Sequence, residues 1–189
     1  MSTVEAPVRN KRWTVEDYFA LDTDSERYEL LEGELVLSPS PSFRHQYVAN
    51  ELNYVLQTWA RRRRVGEVYM GPLDIVLSPE DVVQPDIVFY RSGRLAGVGK
   101  GPVRTLPDLA VECISPFRPA FDRVHKKALY ERSGIPHYWI VDPDAATLEA
   151  YRLGPAGYEL ADELSGDDVF EPELFPGLRF RLSRLWPSW

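Results

Sequence analysis

One cysteine, Cys113, is all that this 189-residue chain contains, so no disulfide can close within it. That fits a reducing compartment. Only three histidines accompany it, and neither they nor the cysteine follow zinc-ligand spacing. No apolar run nears the roughly 20 residues a membrane helix needs. Residues 1–13 are polar and charged, with no apolar core for a secretory signal. The expected location is therefore cytoplasmic. Positive charge is also scarce: 22 Lys and Arg stand against 29 Asp and Glu, a net charge of −7. A broad basic surface for nucleic acid is thereby excluded, and any attraction to DNA must be local, from a cation in a site and a few placed Arg and Lys. No Gly-x-Ser-x-Gly elbow occurs. Gly97-Val98-Gly99-Lys100-Gly101 lacks the hydroxyl residue and the spacing of a phosphate-binding loop.

What is present describes an ordinary globular protein. Hydrophobic residues make up 44% and charged residues 27%, enough apolar surface to build a core. The length suits one domain over residues 1–189, and neither a repeat nor a low-complexity tract divides it.

Thr14 followed by Asp17 forms a capping-box pattern, predicting a short helix over 15–21. Two apolar runs, 28–31 and 34–37, flank Glu32-Gly33 and predict a β-hairpin, ended by Ser38-Pro39-Ser40-Pro41. From 43 to about 64, Val48, Leu52, Val55, Leu56 and Trp59 recur at helical spacing, and Arg61 to Arg64 put cations at the helix's negative end. Residues 67–77 read as one or two strands broken near Gly71-Pro72, and 82–90 as a strand whose ladder Pro85 interrupts. Residues 91–107 read as loop. Residues 109–114 are nearly all apolar, as in a strand covered on both faces, with one carboxylate among them. A helix is expected from Pro119 to about Arg132, closed by Gly134 and Pro136, then a strand at 137–141 and a hairpin from 148–153 and 157–160. This order predicts a mixed α/β sheet with few crossovers.

Asp86 lies between Pro85 and Ile87-Val88-Phe89, and Glu112 between Val111 and Cys113-Ile114. A carboxylate inside an apolar strand is costly unless it is paired or bound to a cation. If the two strands pair, the two anions come close and repel unless a proton or a cation joins them. Hard oxygen ligands with water completing the shell suit Mg2+ or Mn2+. The plainer alternative is an edge-strand acid and a salt-bridged acid.

Pro85-Asp86 followed by Glu112 on the next core strand resembles the PD-(D/E)XK nuclease superfamily. More closely, the chain is similar to the bacterial Uma-two family of restriction-endonuclease-like proteins. The matching pieces are Tyr28 through Glu34, the Ser-Pro turn with His45, Gln84 through Val88, Leu109 through Pro116, Asp122 with Lys126 and Tyr130, and Gly134 through Pro143, with Leu174 through Phe180 in the tail. The resemblance implies a restriction-endonuclease-like mixed sheet flanked by helices, with an N-terminal β-hairpin and one metal site. Asp86 and Glu112 would be its ligands, the backbone carbonyl of Cys113 a third, and phosphodiester hydrolysis in DNA the chemistry. The simple motif places a lysine two residues after the acid, where this chain has Ile114; the family pattern moves it to the following helix, at Lys126. Asp122, Lys126 and Tyr130 share one helix face at i, i+4, i+8 spacing, while Lys127 faces about 100° away. Glu29 matches the family motif and either approaches the site from the hairpin or is a plain exposed strand residue. His45 reads as a structural histidine or a phosphate contact, and Arg61 to Arg64 as solvated cations or a DNA-backbone contact. A catalytically inactive binding or assembly module is the alternative function, favoured by the acidic balance and by Ile114. A homodimer is expected, which would let two sites address two strands.

Overall fold

The computed structural model describes residues 11–21, 26–96, 98–99, 101–114 and 121–189, with backbone alone at 121 and 122. The expected helix start at Pro119 and the side chain of Asp122 lie outside the described residues.

Helix α1 (Val15–Phe19) opens with the capping box: the Thr14 hydroxyl accepts from the Asp17 amide, and the Asp17 carboxylate accepts from the Thr14 amide. Strands β1 (Arg27–Leu31) and β2 (Glu34–Ser38) form the expected hairpin. Its two turn residues, Glu32 and Gly33, have φ of 53° and 78°, the pair of positive values that matches the twist of a two-residue hairpin. Helix α2 (Phe43–Arg63) starts where the Ser42 hydroxyl accepts from the His45 amide and ends with Arg64 in the left-handed conformation.

Residues 67–77 and 82–90 each divide between two sheets. Strand β3 (Gly66–Met70) joins a six-stranded sheet, whereas β4 (Ile75–Ser78) and β5 (Asp81–Val83) join β1 and β2 in a four-stranded one. Strand β6 (Ile87–Arg91) returns to the six-stranded sheet. The single strand expected over 82–90 is therefore two, and Gln84-Pro85-Asp86 is the passage between sheets. Proline cannot donate to a ladder, so the chain leaves one sheet there and enters the other. Within the expected loop over 91–107, Val103 makes an isolated bridge to Ile75.

Strand β7 (Leu109–Cys113) pairs antiparallel with β6 and parallel with β8 (His137–Asp142). The parallel pair requires a crossover, supplied by a π-helical turn (Phe121–Lys126) running into α3 (Lys127–Ser133). A longer hairpin than expected follows, β9 (Thr147–Gly154) and β10 (Gly157–Ser165), with a bulge between Leu160 and Asp162. The six-stranded order is β10-β9-β8-β7-β6-β3. The tail adds a small pair, β11 (Val169–Phe170) and β12 (Phe180–Arg181), before a 3-10 turn (Leu182–Arg184).

At its centre the six-stranded sheet is buried on both faces, which explains why β7 reads as continuously apolar. Leu109, Val111 and Cys113 point to the core beneath α2, with Leu52, Leu56, Trp59, Trp139 and the tail's Phe175. Ala110 and Ile114 point to the opposite core, with Leu129, Tyr130 and Tyr138. Strand alternation puts Glu112 on that second face, beside α3. A smaller cluster of Val15, Leu30, Val76 and Val82 holds α1 against the four-stranded sheet.

Candidate active site

The β6·β7 ladder pairs Ile87 with Val111, so one step further along the register Asp86 comes level with Glu112. Asp86 stands at the passage between sheets, and its carboxylate is only partly covered. Its Oδ2 accepts the Cys113 amide at 2.8 Å and lies 3.1 Å from His45 Nε2. The helix α2 thus contributes to the site through its first turn. His45 shares the buried stripe of Val48, Ala49 and Leu52, so a titratable ring on that stripe was a readable sign of a polar contact. The sequence by itself leaves His45 open between a structural histidine and a phosphate contact, and does not point to Asp86.

Glu112 is 3% exposed in the middle of an apolar strand. Its Oε1 accepts from Lys126 Nζ at 3.0 Å and from the Tyr130 hydroxyl at 2.6 Å. Both donors come from one helical face, four residues apart, across the junction where the π-helical turn passes into α3. A π turn inside a helix shifts the following side chains relative to a regular α-helix and is frequent at functional sites. Lys127 points elsewhere, with its ammonium 3.7 Å from the centre of the Tyr151 ring. Burial, and then the nearby Glu112 and Glu29 charges, push the Tyr130 hydroxyl well above the ordinary tyrosine value. It therefore remains a neutral donor at physiological pH.

Glu29 arrives from the other sheet. It is buried on β1, where Oε1 accepts the Gln84 amide at 2.7 Å and Oε2 lies 3.0 Å from Lys126 Nζ. Lys126 consequently spans two carboxylates, one from each sheet, and is itself 6% exposed. Gln84 had no assigned role in the sequence reading, yet it ties the passage segment to Glu29.

Glu29, His45, Asp86, Glu112, Cys113 and Lys126 all line one cavity of about 110 Å3 between the two sheets. Its rim is formed partly by Ser38, Pro39 and Pro41 of the Ser-Pro turn and by the exposed Arg27. Among the described residues, His45, Asp86 and Cys113 bring an imidazole nitrogen, a carboxylate oxygen and a thiol within 4.8 Å of one another. The structure therefore gathers every residue singled out for the site, whereas Arg61 to Arg64 lie at the far end of α2. That helix of 21 residues separates its ends by roughly 30 Å.

The inner wall of the cavity carries three carboxylates and one ammonium. The carboxylates outnumber the ammonium, and two of the three, Glu29 and Glu112, are almost fully buried. Such a surplus is expensive in a low-dielectric setting unless a cation offsets it.

Comparison with known proteins agrees with this architecture. A family model, Uma2, described as "Putative restriction endonuclease", matches residues 15–183. A solved structure described as a "putative nuclease belonging to DUF820 from Anabaena variabilis" superposes with a TM-score of 0.76 at 20% identity. The match covers 92% of this chain and 97% of that one, and at this identity it is a likeness of fold. No curated protein matches the sequence. Among the described residues, no helix is long and apolar enough to cross a membrane.

Proposed function

This chain belongs to the Uma2 family, and from that premise we propose that it hydrolyses phosphodiester bonds in DNA with a divalent cation, Mg2+ or Mn2+. The observation that carries the proposal is the charge surplus of the cavity: three carboxylates, one from each sheet and Asp86 from the passage between them, line it with a single buried ammonium. A divalent ion matches that surplus, and carboxylate oxygens are the donors that hard cations select. Asp86 and Glu112 would hold the ion, with Cys113 as a third ligand through its backbone carbonyl. When bound, the cation supplies charge to the scissile phosphate and acidity to a water.

The chain's own groups have separate tasks. Lys126 would orient the attacking water and offset charge on the phosphorane. For that, its ammonium has to be aimed, and Glu29 and Glu112 would aim it together, each 3.0 Å away. Tyr130 keeps the Glu112 carboxylate in one rotamer by donating to the same oxygen that Lys126 reaches. The Cys113 amide and His45 do likewise for Asp86. Arg27, exposed at the cavity mouth, offers a guanidinium to a backbone phosphate. A homodimer would let two such cavities address two strands, and sedimentation equilibrium tests it.

A second reading has its own support. Lys126 already sits between Glu29 and Glu112, so the centre is partly neutralised from within, as an inactive binding or assembly module would be. Calorimetric titration with Mn2+ and nicking of supercoiled plasmid in Mg2+ separate the two. The nuclease reading expects Mn2+ binding and cleavage that both vanish in Asp86→Ala and in Glu112→Ala. Undiminished cleavage in either variant dismisses the assignment, and Mn2+ heats that ignore both acids favour the inactive module.

A further inference from the structure

The far end of α2 carries a second concave surface. A groove of about 420 Å3 opens between the last turns of α2 and the C-terminal tail, lined by Arg62, Arg63, Arg179 and Arg184 with Tyr54 and Trp59. In a chain of net charge −7 this concentration of guanidinium groups is out of proportion to the whole. Two of them have acidic neighbours: Arg179 pairs with Glu171 at 2.7 Å, and Arg184 stands 3.8 Å from Glu51. Arg62 and Arg63 have no carboxylate partner among the described residues. Arg63 lies over the Trp59 ring and Arg184 over the Tyr54 ring, 5.1 and 5.5 Å from the centroids, so aromatic faces hold the guanidinium planes in place. Planar forks held this way are suited to the oxygens of a phosphodiester.

We propose that this arginine groove is a second contact for the DNA, gripping the backbone of the duplex to one side of the cut. The inference rests on DNA being the substrate of the cavity beside His45. The separation is fixed by helix geometry. From His45 to Arg62 is 17 residues of one α-helix, about 26 Å of rise, which corresponds to roughly 8 base pairs at 3.4 Å each. The groove thus supplies the local positive charge that an acidic nuclease needs, and places it where it cannot interfere with the acidic centre.

The test reads binding, not cutting. Fluorescence anisotropy of labelled duplexes in EDTA, titrated with salt, gives the slope of log affinity against log salt. Each phosphate contact contributes about 0.9 to that slope in B-form DNA, so Arg62→Ala with Arg179→Ala should lower it by about 1.8. The fall is expected with a duplex of about 24 base pairs, long enough to span the roughly 8 between the two sites. Arg62→Lys should keep its share of the slope. An unchanged slope overturns the proposal. A chain that binds in this way but never cuts in Mg2+ would sink the nuclease reading and leave the groove standing.

Discussion

Lys126→Met leaves Glu29 and Glu112 facing each other across the cavity without the ammonium that now touches both at 3.0 Å. The side chains involved are 7%, 5% and 4% exposed, so water screens the two carboxylates left behind only a little. Removing one partner of a buried ion pair costs about 3–5 kcal/mol, because what stays behind is an uncompensated charge. Here two charges stay behind, and the upper half of that range is expected in urea unfolding at neutral pH. Two companion measurements identify the cause. Saturating Mn2+ should return more stability to Lys126→Met than it adds to the unmodified chain, and about 2.7 kcal/mol is available at a hundredfold excess over Kd. The uncharged combination Glu29→Gln, Lys126→Met, Glu112→Gln should recover most of the loss, since neutral groups of the same shape carry no ionic desolvation. A loss below about 1 kcal/mol, the range of exposed ion pairs, would refute the reasoning, because it would mean that water reaches the centre freely.

Tyr130→Phe removes a donor to a buried carboxylate and should cost about 1.5–3 kcal/mol in the same urea assay; a cost near zero would show that Lys126 alone fixes Glu112. Phe175→Ala should cost about 3–5 kcal/mol, because the ring packs against Trp59, Phe89 and Trp139 in the main core, and an unchanged midpoint would mean that the tail is not part of that core. His137 gives a pH dependence. Burial is the main cause that lowers its imidazole value, with Arg91 and Arg152 adding to the effect and Glu173 and Asp108 opposing it. The folded chain therefore favours the neutral ring. Its contribution is complete above the unfolded value of about 6.5 and is lost as pH falls through the lowered folded value. Unfolding curves for His137→Gln should accordingly be flatter on the acid side of neutrality than those of the unmodified chain; parallel curves would contradict this.

Much of the framework is legible in the sequence because it is written in local chemistry. Glu32-Gly33 can turn only one way between two apolar runs, Thr14 and Asp17 cap each other, and the stripe from Val48 to Trp59 has no period but the helical one. Lys126 was legible too, through its shared face with Tyr130 and against Lys127. What the sequence withheld is non-local. An apolar run broken by Pro85 looks the same whether the two halves stay in one sheet or part company, and only the pairing of β5 with β1 and of β6 with β7 decides it. The meeting of His45 with Asp86 spans 41 positions, and that of Glu29 with Lys126 joins a strand of one sheet to the crossover of the other. No spacing rule reports such encounters. The tail pair β11 and β12 escaped because two-residue strands carry no period at all.

The passage at Gln84-Pro85-Asp86 has a consequence for how the protein matures. Neither sheet owns the full set of charges: Glu29 comes with one, Glu112 and Lys126 with the other, and Asp86 stands on the bridge. A partly folded chain, whichever half forms first, holds an incomplete centre. Whatever chemistry the centre performs must therefore wait until the two sheets have docked and the bridge between them is in place.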